Sequence, residues 1–504
     1  MKQLFIIICL LLGLQQTIAQ YTQIPDPNFE QALIDLGIDS EGILDGQFLT
    51  LDALGINILN IDNLNINDLA GIEAFVDLTW LNAFGNNLTN VDLSLLSLTL
   101  STLSLGNNNL TSIDLSPIQN IVNLSLVQNN FITIDASNLI HMFALYLGEN
   151  PLLANVTVNN CLNLQNLGLE ETYVELIDLS ECPSLRNFNS RESQISSLDF
   201  TYNQNIEDVR AHTSTLTDIN LPNNPNLTEL WVGNTLLTAL DVTNCPNLEE
   251  LYCSQIGLSS LDITQNPNLE YLSSSFNQYT TLDFSQNIAL KTLYMDNNLL
   301  SGHIDLSNNI SLEKLGLGYN LIETVDVSNS ISLDHINISR TPLTTIDLSE
   351  NPNIENANFF QCQNLEFANI KNGENNSILL LFIGTQCPQL SCVVVDDPLA
   401  ENDNILVDGN TTLVGSVEDC NLSISETELQ DFVSVYPNPV KNRFQISTNS
   451  NLDIHKIQVL DLLGKILLDT KNTQQVNISQ LPTGLLFVKI YTNKGSLVKK
   501  IIKE

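Results

Sequence analysis

Apolar residues recur along most of this chain as short alternations of the form L-x-L, with polar residues between and around them. The string Ile-Asp-Leu-Ser or a close variant can be followed by its second position. The marks are Asp92, Asp114, Asp135, Thr157, Asp178, Asp199, Asn220, Asp241, Asp262, Asp283, Asp305, Asp326, Asp347 and Ala368. Of the thirteen intervals, ten are 21 residues and three are 22, spanning 276 residues in all, so the chain is a repeat array. One unit reads Leu227-x-x-Leu230-x-Val232, then Leu237-x-x-Leu240-Asp241-Val242, then Asn244-Cys245-Pro246-Asn247. Alternation places residues i and i+2 on the same side of a strand, so each half predicts a short strand with its leucines inward. Such a unit has room for two strands and two turns but not for a full helix. The expected element is a β-rich coil with one strand on each side, stacked about 4.8 Å per repeat.

Two polar ladders fix the register. Asn86, Asn108, Asn129 and Asn150 occupy the first, and Asn277, Asn298 and Asn320 resume it after Thr and Ser substitutes. The second runs Cys161, Cys182, Asn203, Asn224, Cys245, Asn266, Asn287, Asn309 and then Asn351. Buried Asn at a corner can satisfy backbone groups of the neighbouring coil, and Cys tolerates the same slot as a small, buriable residue.

This pattern resembles the leucine-rich repeat L-x-x-L-x-L-x-x-N/C-x-L in its short 21-residue bacterial form. The resemblance implies a mainly β leucine-rich-repeat solenoid of about 14 coils, two short strands per coil, closed at both ends by caps. Ile24-Pro25-Asp26, Phe29, Leu33 and Gly71-Ile72-Glu73-x-Phe75 are similar to the N-terminal cap of secreted bacterial relatives. A calcium loop often follows the first helix there, but Asp39 to Gly46 lacks its one-three-five oxygen spacing. Leu390 to Asp397 and Glu418-Asp419-Cys420 resemble the matching C-terminal cap.

Composition sharpens the picture at both ends. Lys2 precedes an apolar run from Leu4 to Leu14 and small residues before Gln20, the form of a cleavable signal peptide and too short to span a bilayer. No later stretch predicts a transmembrane helix. The chain carries 57 acidic and 18 basic residues, a net charge of −39, with 15% charged and 43% hydrophobic residues. That balance argues against nucleic acid or anionic membrane as a partner and against a disordered chain. The charge is uneven: residues 20–431 hold seven basic and 53 acidic residues, while the last 73 hold ten and four.

That basic terminal segment reads as alternating strands, Arg443 to Ser447, Lys456 to Asp461, Gln475 to Ser479, Leu485 to Tyr491 and Ser496 to Ile502, expected to form a small antiparallel β-sandwich domain. Tyr436-Pro437-Asn438-Pro439, Asp461-Leu462-Leu463-Gly464-Lys465, Leu481-Pro482-x-Gly484 and the closing Lys499-Lys500-Ile501-Ile502-Lys503 resemble a type A sorting domain of the type IX secretion system. Leu486 stands where that family usually carries Tyr. The resemblance implies type IX secretion machinery as a partner, removal of the domain, and a secreted or cell-surface location outside the outer membrane. The expected organisation is a signal peptide at 1–19, the N-terminal cap at 20–75 and the solenoid at 76–376. A C-terminal cap at 377–420, a linker at 421–431 and the sorting domain at 432–504 follow.

Chemistry is sparse. The five histidines never reach metal-ligand spacing, and no H-E-x-x-H, G-x-S-x-G or phosphate loop occurs, so neither a cofactor nor a metal centre nor an enzyme is expected. A carboxylate pair such as Glu170 and Glu171 reads as solvated surface, since nothing predicts a pocket around it. Cys161, Cys182, Cys245, Cys253 and Cys362 read as buried structural thiols. Cys387, Cys392 and Cys420 lie beyond the array, where export permits a disulfide and Cys392 with Cys420 is the preferred pair.

The outward positions of the first strand are more informative. The fifth residues of successive repeats give Arg210, Trp231, Tyr252, Ser273 and Tyr294; the third give Asp208, Glu229, Glu250 and Tyr271; the seventh give Arg191 and His212. Arg191, Arg210, His212, Trp231, Tyr252, Tyr271 and Tyr294 therefore form a candidate binding patch on the concave face, of the composition found in binding hot spots. An extracellular protein or a glycan is the expected ligand. The alternatives are an adhesive or structural spacer without a soluble ligand and, less favoured, a hydrolase. The Asp row should stand outward on the opposite, convex face with neighbours about 5 Å apart, a repulsion of at most ~0.8 kcal/mol per pair in water. Hydrogen bonds to adjacent Ser and Thr offset it; binding of Ca²⁺ between coils is the sharper alternative.

Overall fold

The computed structural model describes residues 20–95, 98–373, 381–399, 403–420, 433–448, 454–462, 464–471, 475–492 and 495–504. The expected signal peptide and the linker at 421–431 lie outside the described residues. The chain is mainly β, 30% strand and 5% helix, and winds about 16 turns of β-solenoid before a terminal antiparallel region. It divides into two compact units: one ends at Asn320, apart from Gly302–Ile304, and the other takes those three residues and Leu321–Glu504.

The first unit begins with strand Tyr21–Gln23, antiparallel to Gln47–Leu49, around the helix Pro27–Asp35. Asp26 caps that helix through Oδ1, which accepts from the Asn28 and Phe29 amides at 2.9 and 3.1 Å. Its Oδ2 accepts the Asn67 amide at 2.7 Å, tying the cap to the next turn. The buried Glu30 carboxylate accepts the amides of Asp45, Gly46 and Gln47, and Asp52 accepts from Ser40, so protein hydrogen bonds hold the loop after the helix.

From Ile58–Asn60 onward every coil adds one parallel strand to a long sheet, through Trp80–Asn82 and on to Lys314–Gly316. Most of these strands are three residues long, with the middle residue buried, as Leu230, Leu251, Leu272 and Leu293 are. Among the described residues of this unit, second strands pair at Thr133–Asp135 with Asn155–Thr157 and at Ser197–Asp199 with Asp218–Asn220, and a further strand runs over Ser301–Asp305. Elsewhere the second half of the coil passes quickly into the turn that its Asp governs.

The two Asn ladders work differently. In the first, Asn129 Nδ2 donates to the Leu105, Leu126 and Val127 carbonyls at 3.0, 3.2 and 3.2 Å, while its Oδ1 accepts the Leu110 amide at 2.9 Å. In the second, Asn266 Nδ2 donates to the Val242 and Cys245 carbonyls at 3.0 and 2.7 Å, and its buried Oδ1 has no partner among the described residues. Cys suits this second slot because a single donor suffices: Cys161 and Cys182 Sγ donate to the Ala136 and Val158 carbonyls at 3.2 and 3.4 Å. Burial pushes these thiols up to about 11 and about 12. The residue before each first-ladder position takes a positive φ, as at Gln128 (55°), Glu149 (55°) and Asn297 (57°), which turns the chain at every corner.

In the second unit His335–Asn337, Asn356–Asn358, Leu381–Gly384 and Ile405–Val407 form one parallel ladder. Thr345–Asp347, Phe367–Asn369, Cys392–Val394 and Thr412–Val414 form another. Strands Ile58–Asn60, Leu381–Gly384 and Ile405–Val407 explain the larger number of turns: segments read from sequence as caps contribute solenoid strands. A disulfide joins Cys392 to Cys420.

The terminal region has a three-stranded antiparallel sheet of Val433–Tyr436, Arg443–Thr448 and Gln475–Asn477. The other sheet orders Ile466–Lys471, Ile454–Leu460, Gly484–Thr492 and Gly495–Lys503. Phe444, Ile446, Ile457, Val459, Val488 and Ile490 are among its core residues. Leu486 is 2% exposed, so the position that usually carries Tyr is a core position here.

Candidate functional site

A three-residue strand with a buried centre presents its first and third side chains to solvent. Parallel register then builds rows: Asp208, Glu229, Glu250, Tyr271 and Thr292 in one, Arg210, Trp231, Tyr252, Ser273 and Tyr294 in the next. The outward side of the long sheet is therefore where the repeat arithmetic places the candidate patch.

Within it, Trp231 and Tyr252 lie 5.5 Å apart between ring centroids, and His212 lies 6.0 and 6.1 Å from the two. The Arg210 guanidinium sits 5.6 Å from the Trp231 ring. It is held from both sides, by Asp208 at 3.0 Å and Glu229 at 2.7 Å. These ion pairs are part-exposed, so they orient the guanidinium more than they stabilise the fold. Burial, with the Arg191 guanidinium beside it, holds His212 below its ordinary value. Gly233 leaves room for the Tyr252 ring in this position: a Cβ there would overlap it. Asn234 Nδ2 donates to Tyr252 Oη at 3.3 Å. The Trp231 Nε1 donor is shielded from solvent and has no acceptor among the described residues.

Not every predicted residue joins this cluster. Tyr271 and Tyr294 form a separate edge-on pair 6.3 Å apart; Tyr271 lies in the neighbouring row, and Ser273 stands between Tyr252 and Tyr294 in theirs. Arg191 is engaged by Glu171 at 2.7 Å and Glu192 at 3.5 Å. The carboxylates Glu170 and Glu171 do not act as a pair: Glu171 binds Arg191, whereas Glu170 accepts from Asn189 Nδ2 at 3.2 Å. Sequence reasoning missed Gly233 and Asn234, which shape the cluster; a Gly at the seventh position beside Tyr at the next fifth position was the available signal.

The Asp row has a local role throughout. In all eleven, from Asp92 to Asp347, Oδ1 accepts the backbone amide two residues on. Hydrogen bonds from Ser180 and Thr201, side chain foremost, lower Asp178 and Asp199 below the usual carboxylate range. No group of three His, Cys, Asp or Glu able to hold a metal ion occurs among the described residues.

The terminal motifs converge. Asn438 Nδ2 donates to the Lys500 carbonyl at 2.9 Å and its Oδ1 accepts the Ile502 amide at 2.8 Å, so the Tyr-Pro-Asn-Pro segment clasps the last strand. Both of its Pro residues, Pro437 and Pro439, follow cis peptide bonds. The Asp461 carboxylate accepts the Lys465 amide at 3.0 Å across a turn in which Gly464 adopts φ 80°. Gly484 opens the next strand at φ 127°.

Residues 434–504 match the family model for the secretion system C-terminal sorting domain. No curated protein sequence matches the chain. Among solved structures, the functional domain of InlJ from Listeria monocytogenes, which includes a cysteine ladder, is 18% identical with a TM-score of 0.61, covering 96% of this chain and 99% of that one. The internalin InlF from the same organism is 22% identical with a TM-score of 0.51, covering 64% and 91%. A leucine-rich-repeat protein of Leptospira interrogans is 20% identical with a TM-score of 0.50, covering 64% and 92%. No helix among the described residues is long and apolar enough to cross a membrane. The chain thus has the leucine-rich-repeat fold and ends in a type IX secretion sorting domain.

Proposed function

We propose that this chain is a non-enzymatic recognition protein, exported through its sorting domain and acting outside the outer membrane, released or at the cell surface. Its ligand docks on the concave face around Arg210, Trp231 and Tyr252. The observation that carries this reading is the cluster itself: two large aromatic rings in contact, the His212 ring beside both, and an Arg210 fixed by two carboxylates. Rigid aromatic and Arg side chains lose little freedom on binding, which is why they anchor interfaces. Interleaved charge of both signs favours a protein over a uniformly charged polymer. After export the sorting domain is removed, leaving the acidic repeat portion as the working form.

The test compares the secreted wild type with a variant carrying Arg210→Ala, Trp231→Ala and Tyr252→Ala, each immobilised and exposed to extracellular protein from the producing organism's surroundings. Loss of a captured partner in the triple variant supports the reading. A partner held equally by both overturns the site, and no tight partner for either favours the spacer. Deleting 432–504 should stop export, scored by the chain's retention inside the outer membrane.

A further inference from the structure

On the same sheet face, a few coils before the aromatic cluster, lies a hollow of about 210 Å³. Its rim is formed by Tyr146, Asn166, Glu170, Asn187, Asn189 and Asp208, with Gly168 as its floor. The register explains the hollow. Gly168 stands between Tyr146 and Asn189 in one row and, like Gly316 further along it, brings no side chain of its own, so the Glu170 carboxylate leans over it. A Cβ added there would lie 3.3 Å from Tyr146 Cδ1 and 2.9 Å from Glu170 Oε2. Tyr146 is 42% exposed and its side chain lines the space.

The polar groups around this floor are of both kinds. Asn187 Nδ2 donates to Asn166 Oδ1 at 2.7 Å, which leaves Asn166 Nδ2 as a donor and Asn187 Oδ1 as an acceptor. Asn189 Nδ2 is spent on Glu170 at 3.2 Å, and Asn189 Oδ1 accepts the Arg191 amide at 3.1 Å, so both side chains are held in place. Tyr146 Oη has no hydrogen-bond partner among the described residues. Asp208 is already engaged by Arg210.

An apolar side chain seated here would strand the amides without partners, which costs more than its burial returns. An anion would meet Glu170 and Asp208. A neutral ring bearing several hydroxyls fits instead, because each hydroxyl both donates and accepts and the ring's C–H face can lie on an aromatic side chain. We propose that this hollow is a binding site for a neutral saccharide unit. It is separate from the protein-docking patch, and shares with it only the Asp208–Arg210 edge.

Saturation-transfer NMR on the secreted chain tests this, with methyl β-D-glucopyranoside, methyl β-D-galactopyranoside and N-acetyl-D-glucosamine as probes. At least one should receive saturation, with an affinity near 1 mM as befits a small open site. Tyr146→Ala, an exposed substitution that leaves the core intact, should weaken it about tenfold, while Tyr146→Phe retains the stacking part. Gly168→Leu, which fills the floor, should abolish it. Trp231→Ala should leave it unchanged. No transfer to any probe overturns the proposal. So does transfer that survives Tyr146→Ala, or that vanishes with Trp231→Ala instead. Partner capture by the Arg210, Trp231 and Tyr252 variant is scored separately, so either site can fail while the other stands.

Discussion

The two Asn ladders, alike in sequence, should respond differently to the same substitution. In Asn129→Ala the Leu110 amide loses Oδ1, its hydrogen-bond acceptor, in a buried corner. A buried amide left unpaired costs about 1–3 kcal/mol, and loss of the side chain's own packing and donor bonds adds about 1 kcal/mol, so the expected loss is about 2–4 kcal/mol. In Asn266→Cys nothing comparable is orphaned. Asn266 Oδ1 has no partner among the described residues to lose, and the Val242 and Cys245 carbonyls keep the Cys245 and Leu248 amides at 3.0 and 3.1 Å. The new thiol can donate to the coil behind, as Cys182 does, and the cost should stay within about 1 kcal/mol. Asn266→Ala should fall between the two. The assay is urea unfolding of the repeat portion followed by circular dichroism, comparing midpoints and checking that the slopes agree. Equal losses for Asn129→Ala and Asn266→Ala, or an Asn266→Cys variant as weak as Asn266→Ala, would refute the division of labour between the ladders.

Four further outcomes follow from the geometry. Gly233→Ala should drive the Tyr252 ring away from Trp231 and remove their near-ultraviolet dichroism; an unchanged spectrum would mean the ring contact is not the resting state. Asp114, Asp135, Asp178, Asp199, Asp262 and Asp283 are held below 3.8 by their Ser and Thr partners, so they stabilise the fold above that value and cease to as pH falls below it. Burial raises Glu170, Asp208 and Asp296 and acts in the opposite sense, adding stability as pH falls, but these are fewer. Urea midpoints should therefore decline from about pH 5 to about pH 2, and a rising midpoint would contradict the assignment. Cys420→Ser opens a link between residues 28 apart, which loop-closure entropy values at about 3–4 kcal/mol; the same drop should appear in wild type under dithiothreitol. Calcium should leave the thermal midpoint where chelator leaves it, since every Asp of the row is already engaged with its own turn.

Periodicity made the fold legible before any coordinates. A spacing of 21 or 22 residues fixes which side chains point inward, and the recurrence of Asn, Ser, Thr and Cys at most of the corners supports the register, with Ile256 an apolar exception in the first ladder. The same alternation placed Arg210, Trp231 and Tyr252 in one row, and the structure puts them in contact. Other features left no such trace. The strands at Ile58–Asn60 and Ile405–Val407 depart from the consensus enough to look like caps, although backbone pairing needs no consensus. The edge strands Val433–Tyr436 and Ile466–Lys471 were not foreseen, the first sharing its end with the Tyr-Pro-Asn-Pro motif and the second having little alternation. The hollow at Gly168 is defined by a missing side chain among common asparagines, a combination that becomes a site only when neighbouring coils are stacked. Contact between Asn438 and Lys500 joins two motifs 62 residues apart, which spacing alone does not relate.

The positive-φ corner that recurs beside the first ladder has a consequence for how such a chain can change over time. Because Gln128, Glu149 and Asn297 turn the backbone alike whatever their side chains, each coil ends facing the direction in which the next must begin. A duplicated or deleted stretch of one full period would thus rejoin its neighbours without a new junction, whereas a gain or loss of several residues within a coil would misalign every corner downstream of it. Genetic variation in reach is consequently available in whole coils. The outward rows, meanwhile, remain free to drift one residue at a time, so length and specificity can be inherited as separate traits.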